Sequence, residues 1–163
     1  MPPAPRNITT NVRAFTVLVR NELFRRVQLV ALERYDDLAE LEAVSAAASV
    51  EAGSPLAGSP AFTADDWADA LDPYFAEYDR VGTDADARSS AMILIGGAPG
   101  APTVPGGTVP GATVPGADGA WHVRQILADP AGDHDWGISA VVDLVASIAE
   151  GTAVVRVTAV DRL

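Results

Sequence analysis

From Asn11 to about Ala48 the chain runs without proline or glycine, and its apolar positions recur at a helical period. At about 100° per residue, Val12, Val19, Leu23, Val27, Val30, Leu38 and Leu41 fall within a sector of roughly 100°. That stripe predicts a long amphipathic helix, capped by Thr9, Thr10 or Asn11 through a side-chain oxygen. Tyr35-Asp36-Asp37 is where it is expected to kink or split. "VEAGSPLAGSPAF" then reads as a flexible loop over 50–61. A second helical segment follows, with Thr63 as N-cap and Asp65 and Asp66 at the positive end of its dipole. Trp67, Leu71, Tyr74, Phe75 and Tyr78 supply its apolar side, and Pro73 should kink or divide it.

After "VGTDADARSS" the period changes from helical to alternating. Residues 91–95, 121–127, 138–144 and 153–160 are the strand candidates, rich in β-branched residues and separated by turn formers. Ile138, Ala140, Val142 and Leu144 alternate against Ser139, Val141 and Asp143, while Val155, Val157 and Ala159 alternate against Arg156 and Thr158. Helices followed by a run of strands predict an α+β domain with a curved four-stranded antiparallel sheet packed on the helices. A nuclear-transport-factor-like cone is the specific shape expected. Residues 1–9, proline-rich, read as a flexible lead, and 10–163 as a single domain. Within it, 97–119 forms an insert with three near-copies of a Thr-Val-Pro-Gly pentamer. Proline followed by glycine favours type II turns, so this stretch reads as an expanded hairpin loop.

Composition changes this picture in one respect, the placement of charge. The formal net charge is −11, there is no lysine, and all eleven basic residues are arginine. Residues 1–34 carry a local net of +4 and the remainder −15. An acidic total argues against free-standing nucleic-acid binding, which needs clustered positive charge, and directs attention to the first helix. Cysteine is absent, which excludes disulfides, thiolate metal sites and cysteine nucleophiles. No apolar run reaches membrane-span length and no secretory signal opens the chain, so a cytoplasmic protein with no membrane partner is expected.

Four chemistries are suggested by these residues. "GGAPGAP" is no phosphate loop, because that motif requires a lysine the chain does not have. "ADPAGDHDWGIS" brings Asp129, Asp133, His134 and Asp135 together, but neighbouring side chains on an extended segment diverge and no metal-ligand spacing is met. A general base at His134 is chemically sound. Asp-Pro-Ala-Gly-Asp is nevertheless turn chemistry, and a structural turn is the reading preferred over a partner surface or a catalytic or metal site. On the first helix, Arg20 and Arg34 fall in or near the apolar sector, Arg26 at its edge, and Arg25 faces away. Structural ion pairing is the first expectation for these arginines, with Arg34 directed at Asp143 or Asp72. A docking site for RNA backbone or an acidic protein is the second.

Three groups of segments carry a family resemblance. They are "VRAFTVLVRNELFRRVQLVALERYDDLAELE", "FTADDWADALDPYFAEYDRVGTDADARSSAMILI" and "WHVRQILADPAGDHDWGISAVVDLVAS" with "AVVRVTAVDRL". Together they resemble the uncharacterised C-terminal domain of large actinobacterial DEAD/DEAH-box RNA helicases, most specifically over 18–27, 74–86 and 121–136. The resemblance covers nearly the whole chain apart from the lead, the 50–60 loop and the insert. It implies association with a helicase motor or a ribonucleoprotein partner and assigns no catalytic residue. The ATPase motor is missing here, so a separately encoded, truncated or excised appendage is expected.

The leading expectation is therefore a non-catalytic accessory domain that needs no cofactor. It would bind RNA or a protein partner through Arg13, Arg20, Arg25 and Arg26. The rival is a stand-alone pocket protein or enzyme lined by Trp67, Tyr74, Trp121, His134, Asp135 and Trp136. A sheet-mediated homodimer is compatible with either.

Overall fold

A computed structural model describes residues 12–96, 104–105 and 120–162. The lead over 1–9 and most of the insert over 97–119 lie outside these residues. The expected long helix is two: α1 (Val12–Ala31) and α2 (Tyr35–Glu51). The break falls just before Tyr35-Asp36-Asp37. Glu33 adopts a left-handed conformation with φ 54°. Arg34 N–H donates to Leu29 O and Glu33 N–H to Val30 O, both at 2.9 Å. That pair of bonds closes a Schellman motif and satisfies the last carbonyls of α1. The same motif ends α2, with Gly53 at φ 64° and Ser54 N–H on Ser49 O. The 50–61 loop therefore begins after Glu51.

Helix α3 (Ala64–Glu77) opens with the expected cap, completed by reciprocal bonds between Thr63 and Asp66. Pro73 does not divide it. Leu71 and Tyr74 are both fully buried on either side of the exposed proline, and their packing carries the helix through the missing backbone bond.

A one-turn 3-10 helix (Ser90–Met92) leads into the strands. They are β1 (Ile93–Gly96), β2 (Val104–Pro105), β3 (Ala120–Ile126), β4 (Trp136–Asp143) and β5 (Val155–Arg162). The sheet is antiparallel throughout in the order β2-β1-β3-β4-β5. The four expected strands form a meander, and the two-residue β2 extends its edge. Between β4 and β5 lies a helix that the alternation did not predict, α4 (Leu144–Glu150). Asp143 caps it by accepting from Ala146 N–H at 3.0 Å.

One face of the sheet receives the helices. Trp121, Val123, Ile138, Ala140, Val142, Val155 and Val157 join Phe15, Val19, Leu23, Leu38, Trp67, Leu71 and Tyr74 in one core cluster. The alternation of β4 is as expected. That of β5 is not, past its middle: Ser139 pairs with Ala159 and Ala140 with Val157, which leaves Thr158 bulged out. The extra residue reverses the phase, so Val160 reaches the core in place of Ala159. Among the described residues no helix is long and apolar enough to cross a membrane.

Buried polar groups tie α2 to β5. Arg26 was expected at the edge of the apolar face, first as a structural ion pair and second as a partner contact. It is buried and ion-paired, donating from Nε to Glu42 Oε1 at 2.7 Å, which takes it out of reach of a partner. Arg34 reaches neither Asp143 nor Asp72; it pairs with Asp37 at 2.6 Å on the surface. Asp143 Oδ2 instead accepts from the hydroxyls of Ser49 (2.7 Å) and Ser54 (2.5 Å). Ser49 Oγ in turn accepts from Arg156 Nη1 at 2.8 Å.

Candidate functional site

With twice as many acids as arginines, an arginine of this chain should find a carboxylate readily. Arg25, Arg26, Arg34, Arg124 and Arg162 do. Arg156 spends its donors on Ser49 Oγ, Leu56 O and Ser59 O. Among the described residues, Arg20 and Arg88 form no ion pair, yet they line one cavity of about 220 Å³ with Val17, Asn21, Phe24 and Gln125. Among the described residues no carboxylate lines it.

The register of α1 sets Val17, Arg20, Asn21 and Phe24 on one side of the helix, adjoining the core-facing Val19, Leu23 and Val27, and Phe24 is itself buried in the core. Arg88 comes from the segment between α3 and β1. That segment is pinned by a turn in which Ala87 N–H donates to Asp84 Oδ1 at 3.0 Å, and by burial of Ala87 and Met92. Arg20 Nη2 donates to Arg88 O at 3.1 Å, which ties the segment to the helix. The Arg88 guanidinium lies over the Phe24 ring, 4.9 Å from its centroid. Gln125 closes the floor, its amide held by Met92 O at 3.1 Å. Two guanidinium groups, one stacked on an aromatic ring, offer forked donors to an oxyanion. The volume is below that of a typical small-molecule pocket and suits one protruding group of a larger partner.

The arginines expected to act together are separated by the fold. Arg13 is exposed and shares the Arg20 side of α1, about 20° away by register. Arg25 is exposed on a different side, 3.8 Å from Glu22. Arg26 is internal. Sequence reasoning missed Arg88 and Phe24: a lone arginine in a coil carries no periodic signal, and Phe24 reads as ordinary helix content.

The residues of the rival pocket are packed or dispersed. Trp67, Tyr74, Trp121 and Trp136 are buried in the core. Trp121 stacks on Phe15 at 6.0 Å, and Tyr74 meets Trp136 edge-on at 5.8 Å. Tyr74 donates its hydroxyl to Arg80 O at 2.6 Å, and burial, with Asp129 nearby, holds its phenol well above the ordinary tyrosine range. His134 is exposed, in a left-handed conformation with φ 55°.

The acid-rich stretch is a turn held by hydrogen bonds to Asp129. Asp129 accepts from the backbone N–H groups of Asp133 (2.9 Å) and His134 (2.7 Å). Burial alone would raise the Asp129 carboxyl; those backbone donors outweigh it and hold the group below the usual aspartate range. Tyr78 donates to Asp133 Oδ2 at 2.6 Å, and that bond, with burial, pushes the Tyr78 phenol upward. Asp135 pairs with Arg162 at 3.1 Å, and Arg162 also meets Glu77. Among the described residues no three acidic or histidine side chains are grouped to hold a metal ion.

The molecule is thus an α+β domain in which helices cover one face of an antiparallel meander, with an arginine-lined cavity beside the first helix. Over residues 1–160 the chain matches the family described as domain of unknown function DUF3516, and it belongs to that family. No curated protein and no solved structure matches it, so neither comparison supports the expected nuclear-transport-factor-like cone.

Proposed function

We propose that this domain is a non-catalytic accessory module that holds the phosphate backbone of RNA at the Arg20–Arg88 cavity, with Arg13 extending the contact along α1. The observation that carries this reading is that two arginines with no ion pair among the described residues line one cavity in a chain of net charge −11. An acid-rich fold that leaves two guanidinium groups converging on one cavity has a place for an anion there. Phosphate suits it, because forked guanidinium donors match its oxygens and Phe24 orients one of them. The resemblance of 18–27, 74–86 and 121–136 to the C-terminal domain of DEAD/DEAH-box RNA helicases supports RNA as the source of that phosphate. A helicase motor supplied by another part of the assembly, in the cytoplasm, is the context this implies.

The test is fluorescence anisotropy with labelled single-stranded RNA across a salt series. Affinity should fall as salt rises, and Arg20→Glu/Arg88→Glu should abolish binding at low salt. Neutral Arg20→Gln/Arg88→Gln should flatten the log–log salt slope by about 1.4, the value for two phosphate contacts on a single strand. No binding by the folded wild-type chain at low salt, or an unchanged slope in the double variant, would overturn the proposal.

A further inference from the structure

Helix α2 buries polar groups beside Leu38 and Ala48 and turns valines outward. Glu42, Ser45 and Ser49 are buried on its inner side, while Val44 and Val50 are 67% and 61% exposed. The inward polar groups have a structural reason, since Glu42 meets Arg26 and Ser49 meets Asp143. The outward valines have none within the described residues. Val44 lies where two surface hollows of about 440 and 480 Å³ meet, sharing Arg25, Leu41 and Val44 in their linings. The first runs between α1 and α2 over Leu29; the second continues towards α4 over Ala48 and Val154.

The rim is acidic. Asp37 and Glu40 border one hollow, and Glu22, Glu51 and Glu150 border the other. Arg25, the one arginine shared by both, is engaged by Glu22 at 3.8 Å. From Asp37 to Glu51 the groove follows α2 for about 21 Å, the length of roughly four helical turns. An apolar trough of that length between carboxylates matches a helix with an apolar stripe flanked by cations. A second copy of this chain fits poorly, because an isologous contact would set two acid-rimmed faces against each other in a protein of net charge −11.

We propose that the α1–α2 groove, continued to α4, docks a basic amphipathic helix from a partner protein. This surface lies on a different side of α1 from the Arg20–Arg88 cavity and does not depend on RNA binding there. The probe is a synthetic eighteen-residue helix with leucines at i, i+3, i+4 and i+7 and flanking lysines, beside a scramble of identical composition. Wild-type chain should bind the helix at least about tenfold more tightly than the scramble, with amide shifts centred on Leu41, Val44 and Ala47. Val44→Asp and Glu40→Arg/Glu51→Arg change exposed side chains, and each should weaken the helix about tenfold or more with an unchanged circular dichroism spectrum. Equal binding of the scramble, shifts mapping elsewhere, or no binding would overturn the proposal. So would a wild-type dimer that Val44→Asp dissociates, which would assign the groove to a second copy.

Discussion

Arg26 and Glu42 meet at 2.7 Å with their side chains each only 1% exposed, and together they finish the open edge of the sheet. β5 pairs with β4 on one side alone. On its other side Val155 O accepts from Arg26 Nη2 at 3.3 Å, and Val157 N–H donates to Glu42 Oε2 at 3.2 Å. Two side chains from α1 and α2 stand where the next strand would be. An exposed edge invites pairing with another chain, and covering it with helices is one way folds avoid that.

Removing one partner should cost far more than the pair itself is worth. Glu42→Ala leaves the buried Arg26 with Glu22, 3.3 Å away, as its remaining carboxylate and leaves Val157 N–H unsatisfied, so about 2–4 kcal/mol of stability should be lost in urea unfolding. Arg26→Met/Glu42→Leu strands no charge and should lose less than Glu42→Ala alone. A double variant as unstable as the single one would remove the charge argument.

This pair also marks the limit of what the sequence makes legible. The stripe of Val19, Leu23, Val27 and Val30 predicts which way α1 faces, because many small burial terms agree on one period. The α+β order and the four meander strands follow from the same kind of repetition. Single polar residues do not average in that way. The wheel places Arg26 at the edge of the apolar face, but nothing in the spacing names Glu42 as its inward partner, since an isolated charged residue is most simply placed at the surface. Thr158 has a similar effect: one bulged residue moves Val160 into the core, and the alternating pattern cannot report where a strand loses step. At the Arg20–Arg88 cavity, Arg20 was legible as a helix arginine. Arg88 was not, because a turn at Asp84 in an irregular segment delivers it.

Gly137 should tolerate no side chain while Arg124 stays in place. A Cβ there would sit 2.7 Å from Arg124 Nε and 3.0 Å from Gln125 O. The guanidinium lies across the glycine to reach Ser139 Oγ at 2.8 Å and Asp161 Oδ1 at 2.6 Å. Gly137→Ala should therefore destabilise by about 1–3 kcal/mol through overpacking. In an Arg124→Ala background the added methyl should cost markedly less, and a double-mutant cycle measures that coupling. Strict additivity would count against the contact.

Asp143 joins three elements, accepting from Ser49 and Ser54 while capping α4. Asp143→Ala should cost about 2–4 kcal/mol, combining a lost cap with hydroxyl donors left buried. Hydrogen exchange localises the effect: amides of α4 and of the segment around Ser54 should lose protection before those of β3. A uniform loss across the domain would mean that Asp143 holds no local unit.

The turn at Asp129 should give the domain an acid-sensitive component of known sign. Its carboxyl titrates lower in the folded chain than the ordinary aspartate value of about 3.9, because Asp133 and His134 N–H groups bind the charged form. The stabilisation is then fully present above that ordinary value and is lost as pH falls through the folded one. Asp129→Asn keeps one acceptor oxygen and loses the charge, so it should be less stable near neutrality by about 1–2 kcal/mol. Below about pH 4 the wild-type melting temperature should fall towards that of the variant, and the gap between the two curves should close as the carboxyl protonates. The difference curve isolates Asp129 from the other carboxylates, which titrate in both proteins. A gap that stays constant with pH would show that Asp129 holds the turn by shape alone.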